Sequence, residues 1–178
     1  MAAEVLGMPE TYPIGRLTLP FTLDLGAVMV AIDRIEALPA SLRAALDGCA
    51  DVDHPIRAGA WSIRQLTHHL ADAHMNAFVR TKRTLTEDGP TVAMYDAEAW
   101  AACADASLPP AASLQLLEGL HPRWVELLRS LGPAHLERPW HVPHKPVTYP
   151  LWRLPLTYAW HGDHHVAQIV LAREHFGV

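Results

Sequence analysis

Apolar residues recur every three to four positions along four long stretches of the chain. Segments rich in proline, glycine and polar residues separate them. From Phe21 to about Cys49 the apolar set is Val28, Ala31, Ile32, Ile35, Leu42 and Leu46, which predicts a helix that Pro39 should kink or interrupt. Asp51–Ala60 reads as a polar link. The second helix is the best marked. Ser62 is a good N-cap, and Gln65 three residues on completes a capping box. Trp61 precedes the cap as a candidate hydrophobic staple. The helix should run to about Thr86, where Asp88-Gly89-Pro90 stops it. A third helix is expected from Ala111 to Leu131, bent at Pro122 and ended by Gly132-Pro133. A fourth is expected from about Pro150 to Phe176, with Thr148 as N-cap and Gly177 after its end.

The intervening segments are less regular. Residues 1–20, with Pro9, Pro13, Gly15 and Pro20, read as an extended arm packing across the domain. Residues 89–108 form a long connection with room for a short helix from Asp96 to Cys103; connections of this length in compact domains are often functional. Residues 133–150 read as loop with a short strand pair near 138–149. No alternating strand pattern of weight appears. The expected architecture is therefore all-α, a four-helix bundle with long loops, in one domain spanning 1–178.

Composition narrows the function classes. A chain of 178 residues, 50% hydrophobic and 19% charged, can bury a core of its own. With a net charge of -5 and no basic stripe beyond Arg80, Lys82 and Arg83, nucleic-acid binding is not expected. No apolar run is long enough to span a bilayer, and the N-terminus does not read as a signal peptide. Two cysteines, Cys49 and Cys103, make no disulfide framework and fit a reducing, cytoplasmic setting.

One count changes the picture: 12 histidines. In Trp160-His161-Gly162-Asp163-His164-His165, His161 and His165 are four apart, so a helix puts both imidazoles on one face, where they can close on one ion. The Glu of a zincin helix is missing beside His161, so a protease of that type is not supported. Two satisfied or exposed histidines are the plainer alternative. The second helix offers a third ligand. At about 100° per residue, His69 shares a face with Gln65, Asp72, Asn76 and Arg80, a polar stripe on a helix that is otherwise apolar. That stripe is either solvated or, if buried, paired or functional.

These stretches resemble the DinB/YfiT-type family. The likeness is carried by Tyr12-Pro13-Ile14-Gly15, by Trp61 through Asn76 (WSIRQLTHHLADAHMN), by His121, Arg123 and Trp124, and by Tyr158 through His165 (YAWHGDHH). The resemblance implies a metal triad of one His on the second helix and the HxxxH pair on the fourth, here His69, His161 and His165. In YfiT-like relatives a further His often follows the pair; here that place is Gln168. His68, His74 and His164 point elsewhere on their helices. One divalent ion, zinc or nickel, held by three neutral imidazoles would keep an open position able to activate water or a thiol. The resemblance implies a thiol S-transferase of the bacillithiol type acting on an electrophile, or else a metal-dependent hydrolase, and it implies a homodimer. A non-catalytic metal-binding protein is the remaining class.

Further roles follow from face geometry. Asp72 could orient His69 or an activated water, or be a surface carboxylate. Asn76 and Arg80 could hold an anionic group of a thiol cosubstrate; alternatively Arg80 pairs with Glu87. Tyr158 and Gln168 flank the HxxxH pair as candidate substrate contacts. Tyr95, Asp96 and Trp152 are at the pocket mouth or structural, and Trp61, Trp124 and Trp160 are expected in the core.

Overall fold

The computed structural model describes residues 11–178. Of the expected arm, residues 1–10 lie outside the described residues. Four long helices dominate: α1 (Leu25–Leu46), α2 (Ile63–Thr86), α4 (Pro110–Arg129) and α6 (Arg153–Phe176). Between them lie the short helices α3 (Ala97–Ala101) and α5 (Pro133–Leu136), a 3-10 turn at Ala104–Ser107, and an antiparallel strand pair, β1 (Pro139–His141) with β2 (Thr148–Pro150). No helix among the described residues is long and apolar enough to cross a membrane.

Helix α1 packs on α4 and α6, and α2 packs on the same two. Two apolar clusters set the directions. One gathers Val28–Ile35 of α1, Ala73–Phe78 of α2, Leu120–Leu128 of α4 and Leu154–Ala159 of α6. The other gathers Leu42 and Ala45, Ile63–Ala71, Leu114 and Leu117, and Ile169 and Ala172. Thus α1 and α6 run parallel, and α2 and α4 run parallel to each other in the opposite sense. The chain leaving α2 must therefore return along the bundle before α4 can begin. For a helix of 24 residues that is a path of about 36 Å. This is why residues 87–109 are long, and it carries Tyr95, Glu98 and Trp100 along the flank of α2.

The capping box at α2 forms: Gln65 N–H donates to Ser62 Oγ at 3.2 Å, and Ser62 N–H donates to Gln65 Oε1 at 3.0 Å. Other boundaries differ from expectation. Helix α1 begins at Leu25, because Asp24 caps it by accepting from Ala27 N at 3.0 Å. Helix α6 begins at Arg153, and Thr148 lies in β2 instead of capping it. Pro122 lies within a continuous α4, and Gly177 ends α6 in the left-handed conformation, φ 69°.

Pro39 does not interrupt α1. Proline has no N–H to give the carbonyl four residues back. That carbonyl, Ile35 O, instead accepts from His121 Nδ1 of α4 at 2.6 Å. The exception to helical bonding is thus made good by a neighbouring helix. Trp124 is fully buried, as expected, with its indole N–H on Thr81 Oγ1 at 3.1 Å. Trp61 and Trp160 are only partly buried, which corrects their assignment to the core: Trp61 donates to Glu98, and Trp160 donates to Gly15 O of the N-terminal arm.

Helices α1 and α6 touch closely at Gly162. A Cβ there would lie 2.9 Å from Leu38 Cδ2 and 3.0 Å from Cδ1, and Leu38 is itself buried. Gly162→Val should therefore destabilise the fold by about 1–3 kcal/mol through overpacking, seen as a lower urea midpoint. An unchanged midpoint would mean that Leu38 moves aside freely.

Candidate metal centre

His161 and His165 stand one turn apart on α6, and His69 faces them from α2. His161 Nε2 lies 3.0 Å from His69 Nε2 and 3.2 Å from His165 Nε2. Two nitrogens bound tetrahedrally to one ion at 2.0–2.1 Å are about 3.3–3.4 Å apart, so the observed spacing suits a shared ion. His161 thus stands at the apex of the triad. The three form the one group of metal-ligating side chains that converges among the described residues.

Two of the rings have their far nitrogens tied. Gln168 donates its Nε2 to Thr11 O at 3.3 Å, so its Oε1 faces His165, whose Nδ1–H must donate to it at 2.8 Å. That leaves the His165 Nε2 lone pair pointing into the triad. His69 Nδ1 meets the Tyr95 hydroxyl at 2.9 Å. If the hydroxyl accepts there, His69 Nε2 is likewise a free lone pair. His161 Nδ1 is buried without a partner. Burial holds His69 down to about 4. Burial, together with repulsion from His69, holds His165 down to about 3. The same causes push His161 well below its usual range. All three are neutral at pH 7, the ligating form.

His165 lines a cleft of about 600 Å³ together with Trp61, Gln65, Glu98, Ala101 and Gln168, among others. The Trp61 ring lies 4.9 Å from that of His69, and Tyr95 packs on Trp100 at 4.6 Å. The residues fit a divalent ion: three imidazole nitrogens converge, no carboxylate joins them, and His165 borders the cleft.

The structure places the other candidates as follows. Asp72 is half-buried, and its carboxyl is raised by burial and by Asp105; the hydrogen-bond partner of His69 Nδ1 is Tyr95 and not Asp72. Asn76 donates to the backbone oxygen of Asp72 on its own helix at 2.8 Å. Arg80 is not paired with Glu87, which Arg83 takes. It is buried, with Nη1 donating to Tyr158 Oη at 3.2 Å. Tyr158 is buried against His161 and Trp124. Gln168 orients His165. Asp96 caps α3, and Trp152 is in the core.

The remaining histidines of these helices have other partners. His68 ties α2 to Ser113 Oγ and Leu108 O. His74 stacks on His121, and His164 on Trp160. The contact of Tyr95 with His69 was not foreseen. Its one signal in the sequence was the length of the connection that carries it.

Outer hydrogen bonds of this kind fix ring orientation. Gln168→Ala and Tyr95→Phe should each weaken metal affinity by about 10–100-fold, measured by competition with a chelator. Wild-type affinity in both variants would show that the rings are held by packing alone.

Residues 34–169 match the family model of the DinB superfamily. A "Putative metal-dependent hydrolase" of Geobacillus kaustophilus (strain HTA426) is 45% identical over 172 residues, covering 95% of this chain and 97% of that protein. One of Bacillus mycoides (strain KBAB4) is 42% identical over 165 residues, covering 92% and 95%. The structure of YfiT from Bacillus subtilis, described as a probable metal-dependent hydrolase with an unusual four-helix bundle topology, is similar at a TM-score of 0.90 and 35% identity. It covers 95% of this chain and 98% of that one.

Proposed function

This chain belongs to the DinB superfamily, and on that premise we propose that it is a divalent-metal-dependent enzyme that activates a small thiol for transfer onto an electrophile. The observation that carries this reading is the donor set: three converging neutral imidazoles with no carboxylate among them, one of which, His165, lines an open cleft. When bound, a zinc or nickel ion supplies Lewis acidity at full +2 charge, enough to make a thiol give up its proton near neutral pH. A thiol, at an ordinary value near 8.5, needs far less help than water at 15.7.

The residues of the chain supply the rest. His69, His161 and His165 hold their lone pairs towards one point. Tyr95 and Gln168 keep two of those rings from turning, and Trp61 screens the ring of His69. The cleft has room for a small thiol such as bacillithiol and an electrophilic partner. The thiol proton passes to solvent, sulfur bonds to the electrophilic carbon, and the leaving group departs with its electron pair. No dedicated protein base is needed.

Hydrolysis through an activated water is the second reading, supported by the descriptions of the relatives. The test runs bacillithiol with a model electrophile beside a panel of esters and amides, using zinc-loaded and nickel-loaded protein. Electrophile-dependent thiol consumption is expected. Turnover of the esters or amides without thiol, and none with it, would replace the first reading by the second.

A further inference from the structure

Arg80 is a buried cation without a counter-charge among the described residues. Its side chain is 2% exposed, yet no carboxylate among the described residues lies within ion-pair distance of it. Among the described residues, Nη1 donates to Tyr158 Oη, Nη2 reaches only the Met94 sulfur at 3.2 Å, and Nε is buried without a partner. The face of the guanidinium lies 4.8 Å from the Trp140 ring. A guanidinium is a permanent cation, and burying one unpaired is strongly unfavourable.

The unused part of Arg80 is its Nε/Nη2 edge. Elsewhere in this protein that edge grips carboxylates. In Arg64 it meets both oxygens of Asp53 at 2.7 and 2.8 Å, and in Arg83 both oxygens of Glu87 at 2.7 Å. In Arg80 the same edge is covered by a thioether, a weak acceptor. Met94 itself is 53% exposed and sits in a segment without regular structure. The cover is therefore thin and adaptable.

Arg80 lies on the face of α2 that carries His69, Asp72 and Asn76, all of them only partly buried. Its partner Tyr158 packs against His161, ring centroids 5.7 Å apart. The eleven steps from His69 to Arg80 span about 16 Å of helix, and long helical side chains lean back towards the N-terminus, so the guanidinium stands on the order of 10 Å from the triad.

We propose that Arg80 binds a carboxylate of the substrate, which displaces Met94 from the Nε/Nη2 edge while the reacting end of the same molecule lies at the triad. The substrate class is thus a thiol bearing a carboxylate some six carbons from its sulfur. The inference rests on the thiol reading above for which end reacts, but not for the carboxylate site itself.

Calorimetry on the zinc-loaded, full-length protein tests it with 6-mercaptohexanoate against 6-mercaptohexanol, and hexanoate against hexanamide. In each pair the acid should bind wild-type protein about tenfold or more tighter, as a charge-assisted bidentate contact implies. Arg80→Gln should close both gaps and leave 6-mercaptohexanol binding and zinc content unchanged. Met94→Ala, which uncovers the edge, should widen the gaps several-fold; it carries the test if Arg80→Gln does not fold.

Acids and neutral analogues binding alike in wild type, a gap that survives Arg80→Gln, or a gap indifferent to Met94→Ala would each overturn the carboxylate site. Thiols that bind well but without preference would leave the thiol reading standing and remove this one. Hexanoate preferred through Arg80, with the thiol adding nothing, would do the reverse. If no probe binds, both fall.

Discussion

His161→Ala is expected to leave the protein folded and without its metal. Elemental analysis should find about one ion per chain in the wild type, as three converging imidazoles imply, and close to none in the variant. His161 is the apex of the triad: its Nε2 is the atom that lies within 3.0 and 3.2 Å of the other two. Removing it leaves His69 and His165 on different helices, without the ring that spans them. Zinc sites with four ligands bind with about 10–16 kcal/mol, so one ligand is worth on the order of 3 kcal/mol, or two to three orders of magnitude in affinity. Activity should fall to background with the metal. The fold should tolerate the change, because His161 Nδ1 is buried without a hydrogen bond and truncation removes that unfavourable burial along with some packing. Metal content equal to wild type would show that the three rings are not its ligands.

Acid should unfold the metal-free protein near pH 5. His69 is held down to about 4 by burial, His121 to about 4 by the same cause, and His165 to about 3 by burial and by His69. In the unfolded chain each returns to 6.5. Between those values the unfolded state binds more protons than the folded one, so stability is full above about 6.5 and drains as the pH falls. Each such histidine removes about 1.4 kcal/mol per pH unit, and three remove about 4. His74 and His161, both pushed well below the usual range by burial, steepen the loss. Against a total of about 5–15 kcal/mol, one to two pH units suffice. Zinc competes with protons for the same lone pairs, so the zinc-loaded protein should unfold at lower pH, with the ion released in the same transition. Circular dichroism against pH, with and without zinc, reads both; an ellipticity flat to pH 4 without metal would contradict the argument.

What was legible in the sequence was what local chemistry decides. The start of α2 follows from Ser62 and Gln65, three residues apart, and the bundle follows from four apolar periodicities. Helical phase separates His69 from His68, and the interval of four joins His161 to His165. Several misreadings turn on long-range contacts. Pro39 was expected to break α1, but the carbonyl it leaves free is taken by His121, 86 residues away. Tyr95 reaches His69 because the parallel run of α2 and α4 forces the connection back along the bundle, a fact of topology that no local pattern carries. Of the two readings offered for Arg80, pairing with Glu87 fails, because Arg83 stands one turn before that carboxylate and takes it. Gln168 was offered as a substrate contact; its bond to His165, set by an arm whose position against α6 no periodicity predicts, was not foreseen.

The close approach of His69 to His161 has a mechanical meaning for the chain as a whole. The two are 92 positions apart in sequence. An ion that holds both is a reversible cross-link closing a loop of that size, and in chain-entropy terms such a closure withholds from the unfolded ensemble about 4–5 kcal/mol of freedom, as a disulfide of the same span would. Cys49 and Cys103 form no such bridge. A chain whose two cysteines do not pair would thus gain, from a bound ion, a tether that tightens or lets go with the supply of metal.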